Sequence, residues 1–303
     1  MTSWRLLGID FTSAPRRAKP ITVAQGRLDG ARLRLERMCE LVDFDGFERL
    51  LREPGPWLGG FDFPFGLPRE LVEALGWPRD WPQLVHHYAA LSREQVRATF
   101  AAFCDARPAG RKFAHRACDG PAGSSPSMKW VNPPVALMLH AGAPRLLAAG
   151  VHLPALHDGD ASRVALEAYP GLLARELIGT RPYKSDERAR QTPERLIARK
   201  DLVDALEQGR TRLGLRLRLA HAQREALVDD ASGDRLDAVL CLMQAAWAST
   251  QARFGLPVDV DPLEGWIASA LVGSGTAGRP RRGTGTDTQG LTSGLSSAPG
   301  FGA

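Results

Sequence analysis

Short apolar runs that end in aspartate punctuate this chain. Leu6-Leu7-Gly8-Ile9 closes on Asp10, and Trp57-Leu58-Gly59-Gly60-Phe61 closes on Asp62. Runs this short and this apolar predict buried strands, one over residues 4–10 and one ending in Asp62. Between them, Pro20 to Gln25 reads as a strand and Gly26-Arg27-Leu28-Asp29-Gly30 as a turn. The alternation Arg32-Leu33-Arg34-Leu35 then predicts a third strand, so the chain opens with an antiparallel meander. Phe44, Phe47, Leu50 and Leu51 share one face of a helix over 44–51, and Pro54-Gly55-Pro56 breaks the chain before the strand that ends in Asp62.

From Pro64 to about Asp160 the pattern becomes helical, rich in Trp, His and Pro, with a polar break at Asp119–Pro126. Arg163 to Tyr169 reads as the final strand, stopped by Pro170. Thr192-Pro193-Glu194 predicts a helix start, with Thr as N-cap, Pro at the first position and Glu near the positive end of the dipole. The last long helix begins at Ser232-Gly233-Asp234 and carries the stripe Leu236, Val239, Leu240, Met243 and Trp247. Ala238, Cys241 and Ala245 continue its opposite side, so this helix is apolar nearly all round and belongs in the interior. Beyond Val272 the chain is Gly, Ser, Thr and Pro with few large apolar residues, and residues 273–303 are expected to be a disordered tail.

The acids at these element ends are the candidate chemistry. A carboxylate at the end of a core strand is costly to desolvate unless a cation compensates it, and hard divalent cations prefer oxygen ligands. Asp10, Asp62, Asp234 and Asp237 therefore read as metal ligands, with magnesium or manganese as the cation. Each has a plainer alternative. Asp10 and Asp62 suit turns that leave a sheet, and Asp234 suits a helix cap. Asp237, one turn into a buried helix and on the face of Asp234, is harder to account for without a partner. Glu167, inside Val164-Ala165-Leu166-Glu167, suits a further ligand, a general base or an outward-facing residue. Thr12 and Ser13 suit phosphate contacts, as do Arg181 and Lys184. Lys129 and Trp130 suit a loop that orients a base, or a packed surface turn.

Composition narrows the classes. The 303 residues are 44% hydrophobic, enough for one large domain over 1–272. No apolar run is long enough to cross a bilayer, and no secretory leader pattern is visible. Cys39, Cys104, Cys118 and Cys241 lie far apart without CxxC spacing, which suits reduced thiols in a cytoplasmic protein. The histidines show no zinc spacing, GxxxxGK[ST] is absent, and no GxGxxG follows a strand. Net charge is +5, but Arg181–Arg224 holds twelve Lys or Arg against six Asp or Glu, and the tail adds an excess of two. The remainder is net acidic by three. A basic segment facing an acidic site suits a nucleic acid or nucleotide substrate.

At Gly8-Ile9-Asp10, Phe61-Asp62-Phe63-Pro64-Phe65-Gly66-Leu67-Pro68, Glu167-Ala168-Tyr169-Pro170, Arg181-Pro182-Tyr183-Lys184, Asp234-Arg235-Leu236-Asp237-Ala238 and Glu264-Gly265-Trp266-Ile267, the chain resembles the family catalogued as domain of unknown function 429. That family is described as predicted nucleases of the RNase H-like superfamily, and the acids also resemble a RuvC-type resolvase arrangement. The resemblance implies an α/β fold: an RNase H-like mixed five-stranded sheet flanked by helices. A largely helical insertion, about residues 68–160, would separate the fourth and fifth core strands. It also implies phosphodiester hydrolysis with two magnesium or manganese ions held by Asp10, Asp62, Asp234 and Asp237, and Glu167 or His115 assisting proton transfer. Two alternatives stand beside it. One is an ATP-dependent phosphotransferase of the actin and sugar-kinase superfamily, whose members usually carry two RNase H-like halves. The other is a non-catalytic nucleic-acid-binding protein of the same fold.

Overall fold

The computed structural model describes residues 4–271; the expected tail at 273–303 lies outside the described residues. The first strand, β1 (Arg5–Asp10), pairs antiparallel with β2 (Ile21–Asp29), and β2 pairs antiparallel with β3 (Arg32–Leu41). Helix α1 (Phe44–Leu51) follows over the predicted residues, started by Asp43, whose side chain accepts from the Gly46 N–H at 2.8 Å. Strand β4 (Trp57–Phe61) then returns parallel to β1.

The next stretch is largely helical: α2 (Arg69–Ala74), α3 (Trp81–Ala90), α4 (Arg93–Asp105), α5 (Asp119–Ala122) and α6 (Val135–Ala148). A two-residue strand, β5 (Val151–His152), leads to β6 (Asp160–Glu167) and α7 (Pro170–Ile178). Helix α8 (Pro193–Gln208), β7 (Arg216–Arg218), α9 (His221–Asp229) and α10 (Asp234–Ala248) complete the elements used below. The sheet has seven strands in the order β5-β6-β4-β1-β2-β3-β7, with β4/β6, β5/β6 and β3/β7 parallel. The sequence anticipates β1, β2, β3, β4 and β6; the additional β5 and β7 are edge strands too short to carry a periodic signal.

The turn expected at Gly26–Gly30 sits elsewhere. Strand β2 runs on to Asp29, and the ladder shifts register between Gln25 and Gly26. That bulge swaps the faces of β3: Leu33 and Leu35 join the core beneath α10, whereas Cys39 and Leu41 pack on the opposite core. The bulge also lets the third strand run to Leu41, well past the predicted Leu35.

Helices cover both faces. Leu7, Ile9, Trp57 and Phe61 face a core shared with α1, α2, α3, α4 and α6; Leu6 and Leu58 face the core of α7, α8 and α10. Successive side chains alternate faces along a strand. Leu6, Gly8 and Asp10 on β1, and Leu58, Gly60 and then Asp62 on β4, therefore all point toward α10. The two glycines bring that helix close. A Cβ on Gly8 would lie 2.0 Å from the Ala238 carbonyl oxygen, and one on Gly60 would lie 2.6 Å from that of Cys241. Thr192 occupies the N-cap position of α8 with Pro193 next, but its hydroxyl makes no capping hydrogen bond.

Candidate metal centre and cleft

Alternation on two neighbouring strands and close approach by one helix bring three acids together. Gly8 pairs with Gly60 across the parallel ladder, and the Asp62 N–H continues it by donating to the Ile9 carbonyl at 2.9 Å. Asp10 and Asp62 thus leave adjacent strand ends side by side. Asp237 projects from the first turn of α10, whose next turn carries Ala238 and Cys241 against the glycines. One carboxylate oxygen from each of Asp10, Asp62 and Asp237 lies within 4.8 Å of the other two. Asp237 is wholly buried and Asp10 nearly so.

The electrostatics follow from that crowding. Burial, reinforced by the charges of Asp237, Asp62 and Asp234, holds the Asp10 carboxyl well above the ordinary carboxylate range. Burial, with Asp237 adding to it, pushes Asp62 up to about 7. Lys184 opposes both shifts. Asp237 is held from one side of the cleft: the Tyr183 hydroxyl donates to Oδ1 at 2.5 Å and the Lys184 ammonium donates to Oδ2. The pair is positioned from α8, where buried Arg199 donates to the Tyr183 carbonyl at 2.8 Å and to the Val228 carbonyl at 2.6 Å. Lys184 also packs over Gly233, where a Cβ would meet the Lys184 Cβ at 2.6 Å and where φ is +78°. Glycine meets both demands.

The other acids have partners of their own. Asp234 receives the Lys19 ammonium at 2.8 Å, which also reaches Asp186 at 2.9 Å. It stands outside the three-acid cluster, and it does not cap α10 either. Gly233 is the N-cap residue, and the Arg235 N–H is satisfied by Asp230 at 2.9 Å. Glu167 is gripped by Arg116, with Nη1 and Nη2 each 2.7 Å from a carboxylate oxygen, and it also accepts from the Phe65 N–H at 2.9 Å. Arg116 spends its remaining donors on Asp119 and the Glu264 carbonyl. A carboxylate engaged in this way has its oxygens committed, although burial raises its pKa against the opposing Arg116 charge, so Glu167 reads as a buried structural partner. Glu264 joins the same framework, accepting from the Arg69 and Ala117 N–H groups at 2.8 Å each.

Above the acids lies a cleft of about 730 Å³. Asp10, Asp62, Thr12, Ser13 and Lys184 line one end; Pro133, Val135, Met138 and Tyr169 form an apolar wall. Arg181 reaches the rim but pairs with Asp201 at 2.7 Å. Lys129 and Trp130 fall outside the lining. Lys129 donates to the Asn132 carbonyl at 2.6 Å, and the Trp130 ring packs on Phe113 with centroids 5.7 Å apart. They are a packed turn, and the residues just after it enter the cleft instead. His115 is exposed and away from the cleft, while its neighbour Arg116 is buried. Nothing local in the sequence marks Arg116 or Tyr183 for the parts they play here. The signals were present: Glu167 in an apolar strand and Asp237 in a buried helix each require a donor from elsewhere.

The four cysteines are free thiols, and no described helix is long and apolar enough to cross a membrane. Compared with protein-family models, curated proteins and solved structures, the chain gives no significant match.

Proposed function

We propose that this chain is a metal-dependent nuclease of RNase H-like fold acting on nucleic acid or a nucleotide. The observation that carries the reading is the donor set: three converging carboxylates, two of them buried, with one ammonium among them. Such a group retains a charge deficit that either protons or a divalent cation must offset. All-oxygen donors fit magnesium or manganese and argue against softer metals. Asp10, Asp62 and Asp237 would hold the cation, which when bound supplies a Lewis acid for a phosphoryl oxygen and a more acidic water. The antiparallel meander β1-β2-β3, the helix after it and the parallel β4 leading into Asp62 support the RNase H-like reading and the resemblance behind it.

The chain's own residues supply the rest. Tyr183 and Lys184 fix the Asp237 carboxylate and soften the repulsion among the acids. The Thr12 and Ser13 hydroxyls line the same end of the cleft, where they suit phosphate oxygens. Pro133, Val135, Met138 and Tyr169 offer the apolar surface that a base requires. The cleft volume falls in the range of about 300–1,000 Å³ common to small-ligand sites, which favours one nucleotide unit at the acids over a duplex. Members of the phosphotransferase superfamily usually carry two RNase H-like halves, whereas the described residues form one sheet, which favours the nuclease reading.

The test is magnesium-dependent cleavage of a labelled oligonucleotide by the intact chain. Asp10→Asn and Asp237→Asn should each abolish cleavage while leaving the circular dichroism spectrum intact. Full activity in either variant overturns the assignment.

A further inference from the structure

At the opposite end of the sheet lies a second surface that the cleft does not use. Strands β2, β3 and β7 form that edge, and their registered partners are arginines: Arg27 pairs with Arg34, Arg34 with Arg218, and Arg32 with Arg216. The residues between them, Leu33 and Leu217, are fully buried, so alternation turns the arginines outward. All five are exposed. Two carboxylates share this face, Asp29 and Glu36. Glu36 lies 3.4 Å from Arg27 and 3.2 Å from Arg34. Arg32, Arg216 and Arg218 have no ion-pair partner among the described residues. A groove of about 450 Å³ runs beside Arg34 and Arg218, floored by Leu219, Ala220 and Gln223.

Like charges directly opposite one another on neighbouring strands work against folding. Asp29 opposite Arg32 and Glu36 beside Arg27 and Arg34 offset part of this, but Arg216 and Arg218 face like charges with no carboxylate of their own, which the stability of the sheet does not explain. A polyanion laid across them removes the repulsion. The guanidinium fork matches phosphate oxygens two at a time, which a lysine ammonium does not. We infer that the β2-β3-β7 face is a docking surface for a nucleic-acid backbone, separate from the acid cleft. Thr22, the partner of Asp10, is five residues up β2 from Arg27, which is about 17 Å at 3.4 Å per residue. The arginines also lie on the face opposite α10, toward which the acids point, so a strand held there has to run well beyond that span to reach the cleft, and the surface selects polymers over mononucleotides.

The experiment is fluorescence anisotropy of a labelled single-stranded oligodeoxynucleotide with the full chain in EDTA, where no cleavage occurs, across a salt series. The triple variant Arg32→Gln, Arg216→Gln, Arg218→Gln should bind about tenfold or more weakly, with the log–log salt slope shallower by about one per arginine. Its melting temperature should equal or exceed that of the parent, because repulsion is relieved. Unchanged affinity and slope overturn the proposal. Competition by polyglutamate as effective, charge for charge, as competition by the oligonucleotide also overturns it, in favour of an acidic polypeptide partner. Binding in EDTA does not depend on hydrolysis, so a failure of the nuclease reading shows up separately in the cleavage assay.

Discussion

Gly8 shows how much of the site depends on an absent side chain. A Cβ there would lie 2.0 Å from the Ala238 carbonyl oxygen and 2.3 Å from the Leu242 nitrogen, both backbone atoms of α10 that cannot swing aside. Gly8→Ala should push α10 off β1, cost at least about 1–3 kcal/mol in urea denaturation, and move Asp237 away from Asp10. Gly120→Ala is the matched control. Nothing lies within 4 Å of its added methyl, and its effect should stay within about 0.5 kcal/mol. Equal stability of the two variants would contradict the close-packing explanation. Lys184 belongs to the same scale: 44% of its side chain is open to solvent, yet its ammonium turns inward to a carboxylate with no exposure at all.

At the scale of elements, the Arg116 guanidinium joins β6 through Glu167, the start of α5 through Asp119, and the chain after α10 through the Glu264 carbonyl. Breaking a buried pair from one side strands the other charge. Arg116→Leu should therefore destabilise by about 3–5 kcal/mol by chemical denaturation, and Arg116→Leu with Glu167→Leu by less than Arg116→Leu alone. What was legible in the sequence follows this division between local and distant. Helix α1 is found at Phe44–Leu51 because apolar spacing and the preceding cap are local signals. Asp10, Asp62 and Asp237 were recognisable because each is a charge where the surrounding pattern requires burial. The bulge at Gln25/Gly26 was not legible, since glycine there reads equally well as a turn. Asp234 reads as a metal ligand and Glu167 as a further ligand, base or outward-facing residue because their partners, Lys19 and Arg116, lie 215 and 51 residues away along the chain. Spacing along one segment carries no information about such pairs.

For the whole molecule, fold and site place opposing demands on the acids. A carboxyl whose pKa is raised in the folded chain binds its proton more tightly there than when unfolded. The contribution of Asp62 to cation-free stability therefore declines as pH climbs from its ordinary value of 3.8 through about 7, and is level beyond. A divalent cation competes with those protons, so its affinity should rise over the same interval. The most direct measurement is calorimetric titration of Mn²⁺ into the intact chain. Binding should be saturable at pH 8, weaken markedly at pH 6, and disappear in Asp10→Asn. No saturable heat at pH 8, or undiminished binding by Asp10→Asn, would contradict a metal centre at Asp10, Asp62 and Asp237.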